Sequence, residues 1–515
     1  MNSPNPMINE IILPKEKRRW LSKSLCILLL TISVMLYFTA KWYISKFGDV
    51  GFDSILSTLG NLTGAPTTDF VTSVLLRVFL PSALVLFVFM FVLFFFPKSK
   101  SFSITIKKKT FNILPIKHWC SVVISVILAF LLLWNAASTS GLTRYVQGIV
   151  AKSEIFEEKY VDPMTSGLEF PEEKRNLIYI FLESMETTYF SKEEGGALRY
   201  NIIPELYDLA EENISFSHND GIGGLYAPNG ASWTIAAMTA HTSGVPLKAP
   251  PAFEQNNYGK DKFLPGINNL SDVLSENGYY QTLMVGSNSG FANRDVYYKQ
   301  HGTDKIYDLY TAQKSGILPS EDYNVWWGME DKYLFDYAKR ELKEIAASDK
   351  PFAFTMLTVD THFENGYVCS KCGKDYEEQY ENVMSCSSKQ VYEFVEWLKK
   401  QDFYENTTIV IAGDHLTMDA GYIGRNVAPD YDRRVYNCIL NSAVTGTNYK
   451  NREATTFDMF PTTLAAMGVK IPGERLGLGT NLFSSKKTLS EEMGYNEFNS
   501  QIAMNSDYYN ENFLK

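Results

Sequence analysis

The sequence predicts an α/β protein: a doubly wound, mostly parallel sheet behind three N-terminal transmembrane helices. Three observations carry this expectation. Three charge-poor apolar stretches fall within the first 143 residues. Beyond them, short apolar runs of strand length alternate with amphipathic helical patterns. The charge balance also reverses there: residues 1–143 carry 14 Lys/Arg against 5 Asp/Glu, and residues 144–515 carry 34 against 53. An acidic large region excludes a simple nucleic-acid binder. With 45% hydrophobic and 21% charged residues, the chain can bury a large core and is not disordered. Six cysteines in 515 residues exclude a disulfide-dense miniature scaffold.

The expected spans cover about residues 21–40, 78–96 and 119–138. A helix needs roughly 20 apolar residues to cross the hydrocarbon core. Lys15, Lys17, Arg18, Arg19 and Lys23 precede the first span, and Lys98, Lys100, Lys107, Lys108, Lys109 and Lys117 separate the second from the third. Lysine-rich segments stay in the cytoplasm, so the N-terminus is expected inside and everything after about residue 143 outside. The first span has no evident cleavage site and reads as an uncleaved anchor. Residues 52–70 suit a segment along the outer membrane surface. Residues 144–174 are expected as a linker, and 175–515 as an extracytoplasmic catalytic domain with no extra C-terminal domain.

Strands are expected at residues 176–184, 280–285, 352–359 and 408–412, with helical patterns before the last three. Such sheets bind ligands at the carboxyl ends of their strands. The unusual residues lie there: Glu183 after the first run, Asp360-Thr361-His362 after the third, and Gly413-Asp414-His415 after the fourth. One Asp after a strand commonly caps the next helix. Three strands delivering carboxylates and imidazoles to one edge point instead to a metal or phosphate site. Carboxylate oxygens with an imidazole nitrogen suit Mn²⁺, Mg²⁺ or Zn²⁺. Residues 221–247 contain no charged side chain, as expected of a loop and helix N-terminus lining a site. A hydroxyl there would serve as nucleophile, and spacing alone leaves Ser232, Thr234 and Thr239 open.

Five ordered segments carry a family resemblance: IYIFLESMETTY, SWTIAAMTAHTSGVPL, GSNSGFANRDVYYKQHG, FTMLTVDTHFENGY and IVIAGDHLTM. Across about residues 175–480 the chain resembles the alkaline phosphatase/sulfatase superfamily. Within it, the chain is similar to the membrane-anchored phosphoglycerol transferases, which include the lipoteichoic acid synthases, and is nearest to the periplasmic-glucan type. The resemblance implies Thr234 as nucleophile. It implies Glu183, Thr234, Asp414 and His415 as metal ligands, with manganese preferred over magnesium or zinc. Arg294 and His362 are implied as phosphate and headgroup ligands, and His362 also as a proton shuttle. The implied reaction moves phosphoglycerol from phosphatidylglycerol to a glycan hydroxyl through a covalent threonine intermediate. The implied location is a bacterial inner membrane, with the catalytic domain in the periplasm or outside. Ala292 and Ser287 depart from the lipoteichoic-acid pattern, which has a tryptophan and an acidic residue there.

Three of the cysteines, Cys369, Cys372 and Cys386, follow His362 closely. Without a second CxxC a structural zinc is not expected, and an oxidising compartment favours a loop disulfide. A similar pair in glucan-type relatives implies Cys372–Cys386. Two enzymatic alternatives keep the same machinery: phosphoethanolamine transfer, and hydrolysis of phosphodiesters or sulfate esters. No formylglycine motif surrounds Ser232 or Thr234, which argues against sulfate esters. A non-catalytic lipid or glycan sensor would lack a ligand or the nucleophile, whereas Glu183, Thr234, Asp414 and His415 are all present.

Overall fold

The computed structural model describes residues 15–48, 51–52, 68–95, 102–106, 109–113, 118–248, 262–446 and 449–515. The chain divides into two compact units, 1–45 with 67–143, and 46–66 with 144–515. Phe96, the expected end of the second span, lies outside the described residues, as does most of the expected surface segment, residues 53–67.

In the smaller unit, helix α1 spans Lys15–Phe47. Helix α2 runs through Thr68–Val74, Leu75–Phe79, Leu80–Met90 and Phe91–Phe95, and helix α3 is His118–Thr139. Their apolar parts, Arg19–Phe47, Val71–Phe94 and His118–Thr139, are each long and apolar enough to cross a membrane. Leu28, Phe87 and Phe130 are exposed on them, so the helices are apolar outside as well as inside. The Leu75–Phe79 segment is a wider π turn just before Pro81. Proline lacks the N–H that would bond four residues back, and its ring crowds that carbonyl, so the helix widens there. Small residues let α3 pack closely: Ser121, Ser125 and Ala129 are buried, and Ser121 Oγ donates to Leu93 O at 2.8 Å. Strands β1 (Phe102–Ile106) and β2 (Lys109–Ile113) form an antiparallel hairpin within the lysine-rich stretch.

The larger unit is built on six strands: β3 (Asn176–Leu182), β4 (Tyr280–Val285), β5 (Lys305–Tyr307), β6 (Phe352–Leu357), β7 (Thr407–Gly413) and β8 (Asn437–Leu440). Their order is β5-β4-β6-β3-β7-β8. All neighbours are parallel except β8, which runs antiparallel to β7. The four expected strands are β3, β4, β6 and β7. The alternation of side chains explains their continuous apolar runs, because both faces are covered. Leu177, Tyr179 and Phe181 of β3 enter one core, and Ile178, Ile180 and Leu182 enter the other.

Helices α4 (Pro204–Glu212), α5 (Thr234–Ser243), α6 (Leu270–Glu276), α7 (Arg294–Gln300), α8 (Asp331–Ala346), α9 (Gln379–Leu398) and α10 (Met459–Ala466) complete the layers. The first core takes Ile235 and Met238 from α5 and Leu464 from α10. The second takes Leu206 from α4, Leu334 and Leu342 from α8, and Phe394 from α9. The segment 144–174, expected to link the units, packs onto the larger one. Ile155 and Phe156 are buried in its first core, and Val161 N–H donates to Gly477 O at 3.0 Å.

Candidate functional site

Register alone sets two carboxylates side by side. Leu182 of β3 is paired with Gly413 of β7, so the next residue of each strand is Glu183 or Asp414. Asp414 N–H donates to Leu182 O at 3.1 Å, extending the pairing by one step. Gly413 is required there, because a Cβ would stand 1.8 Å from Met185 O. Ser184 takes a left-handed conformation with φ of 56°, which turns the chain sharply after Glu183. Its N–H donates to Asp414 Oδ1 at 2.8 Å, and its hydroxyl donates to Glu183 Oε1 at 2.8 Å. From the far side of β3, Glu183 N–H donates to Thr358 Oγ1 at 3.0 Å, and Thr361 Oγ1 donates to Glu183 O at 2.6 Å.

His415 completes the group. Its Nδ1 lies 2.9 Å from Leu416 O, which fixes the proton there and leaves the Nε2 lone pair free for a ligand. Nε2 is 3.5 Å from Glu183 Oε1 and 3.4 Å from Asp414 Oδ2. One donor atom from each of Glu183, Asp414 and His415 falls within 4.8 Å of the others, and all three residues are buried.

The electrostatics follow from crowding two acids in a dry site. Burial, then repulsion from Glu183, pushes Asp414 up to about 7. Burial would also raise Glu183, but the imidazoles of His362 and His415 outweigh it and hold that carboxyl below its usual range. Burial would lower His415, but Asp414 and Glu183 outweigh it and raise it. Asp414 Oδ2 is buried with no hydrogen-bond partner. A buried carboxylate oxygen without a donor is costly unless a cation meets it. Two carboxylates and an imidazole nitrogen around that oxygen are therefore a donor set that fits a divalent cation.

Thr234 begins α5, with Trp233 extended before it. Gly244, left-handed at φ of 66°, ends the helix. Thr234 Oγ1 lies 3.3 Å from Glu183 Oε2 and 3.4 Å from His415 Nε2. Thr239 sits further along the same helix, fully buried. The structure thus brings Thr234 to Glu183, Asp414 and His415.

Arg294 opens α7 after two left-handed residues, Ala292 and Asn293. It is buried rather than spread on the surface, and Asp295 pairs instead with Lys299 at 3.5 Å. Arg294 Nη2 donates to Ser287 Oγ at 2.8 Å and to Asn288 O at 2.7 Å, and Nε donates to Phe291 O at 3.2 Å. Burial lowers its pKa to about 10, so it stays charged at neutral pH, and that charge acts on Glu183. Ser287, an uncharged partner, therefore holds the guanidinium without neutralising it.

His362 is half-buried, with Nδ1 2.7 Å from Phe363 O. Burial lowers its pKa, partly opposed by Glu183. Two groups beside it escaped sequence reasoning. The rings of Trp327 and Trp326 lie 4.5 Å and 5.9 Å from the His362 ring, centre to centre. Trp327 also meets Phe291, the neighbour of Ala292, at 5.5 Å. Behind the site, buried Glu186 is paired with Arg433 and accepts from Thr417 N–H at 2.9 Å, bracing the chain beyond His415. The paired acids of the E-S-M-E segment were the available signal for Glu186.

The six cysteines are free thiols. The Cys372–Cys386 bridge implied by the resemblance is not formed. Cys369 lies between that pair, with its Sγ 3.7 Å from Cys372 Sγ and 3.8 Å from Cys386 Sγ. A tight turn, Cys372 N–H to Cys369 O at 3.1 Å, brings the first two thiols together.

Comparison with known proteins gives the chain a family. The sulfatase family model matches residues 175–469, from the start of β3 to the segment after α10. The chain belongs to the sulfatase family. Phosphoglycerol transferase I of Escherichia fergusonii is 32% identical over 306 residues, which is 57% of this chain and 38% of that protein. This sulfatase-family chain thus matches well under half the length of that curated relative. Two solved structures are similar at lower identity. An alkaline phosphatase superfamily protein from Vibrio parahaemolyticus has TM-score 0.49 and 20% identity, over 68% of this chain and 80% of that one. A lipoteichoic acid synthase from Listeria monocytogenes has TM-score 0.48 and 18% identity, over 64% and 80%.

Proposed function

We propose that this chain is a membrane-anchored, metal-dependent transferase that moves phosphoglycerol from phosphatidylglycerol to a glycan hydroxyl. The observation that carries the reading is Thr234 Oγ1 at a helix start, 3.3 Å from Glu183 and 3.4 Å from His415. Family membership and the similarity to phosphoglycerol transferase I support it.

Glu183, Asp414, His415 and the Thr234 hydroxyl would hold a divalent cation, manganese in preference to magnesium or zinc. Bound there, such an ion would lower the hydroxyl's pKa and offset phosphate charge. Thr234 Oγ then attacks the phosphodiester phosphorus, and the bond from phosphorus to the diacylglycerol oxygen breaks. Diacylglycerol leaves with a proton and stays in the bilayer, while phosphoglycerol remains on Thr234. A glycan hydroxyl attacks the same phosphorus, loses its proton and frees Thr234. The free N–H groups at the start of α5 favour the anion in both steps. Arg294, anchored through Nη2 and Nε, directs its charge at the phosphate oxygens. Neutral His362, half-buried beside Glu183, accepts the acceptor's proton or returns one to the leaving oxygen. The three apolar helices would keep the catalytic domain on the outer side of the inner membrane, next to its lipid donor.

The test is incubation of the full chain with labelled phosphatidylglycerol, followed by mass spectrometry of the Thr234 peptide and of added glycans. Glycerol phosphate on Thr234 and then on glycan is the expected result. Ethanolamine phosphate on Thr234 after incubation with phosphatidylethanolamine, and none from phosphatidylglycerol, would reassign the donor. Release of free glycerol phosphate without any glycan product would make the chain a hydrolase.

A further inference from the structure

A second group of metal-ligating side chains lies outside the Thr234 site. We propose that Cys369, Cys372 and Cys386 bind one zinc ion as thiolates, in a structural site that fastens the His362 loop to helix α9. The three sulfur atoms all lie within 4.8 Å of one another. The separations of 3.7 Å and 3.8 Å measured from Cys369 are decisive. Four sulfurs at the Zn–S distance of about 2.3 Å form a tetrahedron with edges of about 3.8 Å. Two of the three sulfur separations thus already match such edges, and the third, from Cys372 to Cys386, is no more than 4.8 Å.

Their surroundings suit thiolates. The backbone N–H of Lys371 donates to Cys369 Sγ at 3.4 Å, within the Cys-x-x-Cys turn. The Gln390 amide, one turn along α9 from Cys386, donates to Cys386 Sγ at 3.5 Å. Such N–H···S bonds orient sulfur ligands and stabilise their charge. Cys369 and Cys386 are buried and Cys372 is half-buried, so a water can reach the fourth position. A disulfide would use two of these thiols and strand the third beside them. One ion uses all three. The missing second CxxC, which argued against zinc in the sequence, is replaced by a single cysteine on a helix.

The site's place in the chain gives it a role. The loop from β6 to α9 carries His362 and Tyr367, and the Tyr367 ring stacks on Trp326 at 6.1 Å. Fastening Cys369 and Cys372 to α9 would hold that loop in place, making the three cysteines positioning residues. The ion is distinct from the one at Glu183, Asp414 and His415, and so is its spectroscopy.

The test loads the full chain, in detergent micelles, with Co²⁺. Thiolate ligands give an intense near-ultraviolet charge-transfer band that carboxylates and imidazoles do not. The band is expected in the wild-type chain and in Asp414→Asn, and is expected to vanish in Cys372→Ser and Cys386→Ser. Its absence from the wild-type chain, or its survival in both cysteine variants, overturns the proposal. Alkylation of wild-type protein purified without reductant guards against variants that fail to fold. Cys369, Cys372 and Cys386 should become reactive to iodoacetamide when a chelator is added. If one of the three reacts without chelator and the other two react only after a reductant is added, a disulfide closes the loop and the zinc site is excluded.

Discussion

Thr234 is half-buried at the start of a helix, with a carboxylate oxygen and an imidazole nitrogen beside its hydroxyl. Thr234→Ala should lower transfer by on the order of 10⁴-fold or more, the scale set by loss of a nucleophile elsewhere. Its melting temperature should stay near wild type, because a half-buried methyl and hydroxyl contribute little packing; retained transfer with a melting shift alone would exclude the assignment. Arg294→Lys keeps a charge but loses the planar fork that Ser287 and Asn288 hold. We expect kcat/KM to fall about 100-fold, or about 2.7 kcal/mol. Equal activity of the two proteins on lipid vesicles would show that phosphate binds elsewhere. At this scale, Glu183, Asp414 and His415 were legible because Glu183 and Asp414 each follow a strand directly and His415 comes next. Trp326 and Trp327 were not, because they sit in an irregular loop whose path no periodicity reveals. The pairing of the loop cysteines was also not legible, since sequence order does not show that Cys386 faces back from α9.

Elements deliver these residues only as well as their backbones fit. Gly413→Ala would drive a methyl into Met185 O, so either β7 or the turn after β3 must move. We expect a loss of about 3 kcal/mol in urea unfolding, with weaker divalent-ion binding, because Asp414 follows directly. Unchanged values for both would show that the turn is pliant. Helix α5 carries a second test, at His241. Burial pulls this imidazole down to about 3, and it stays neutral against Tyr179 OH at 2.8 Å. Its folded pKa lies below the unfolded value of about 6.5, so below that pH the unfolded chain binds a proton that the folded chain refuses. Stability should therefore fall with acidity, by about 1.7 kcal/mol between pH 6.5 and 5. His241→Gln should flatten that part of the urea-midpoint profile, and an unaltered slope would assign it to other groups. The long buried strands were plain in the sequence as continuous apolar runs. β5 and β8 were not, because three or four residues at a sheet edge carry too little pattern.

The whole molecule joins a lipid-compatible helical unit to a catalytic-type unit on one chain. If the donor is a membrane lipid, sharing a bilayer should matter more than bulk concentration. At equal total phosphatidylglycerol, transfer by the full chain should be faster in vesicles containing both than after dilution into excess detergent. Equal rates would mean that tethering has no kinetic role. The sheet order has a further consequence, for biosynthesis. Asn176 of β3 pairs with Thr407, 231 residues later, and the other neighbour, β6, begins at Phe352. At about 5–20 residues per second, the central strand waits roughly 12–46 s for the last of its partners to be made. Until β6 is made both backbone edges of β3, flanked by Leu, Ile and Phe, stand open to any stray strand, and one stays open until β7 follows. Folding of this chain should therefore depend on a holding chaperone, and slowing the ribosome between β3 and β7 should raise the fraction that aggregates.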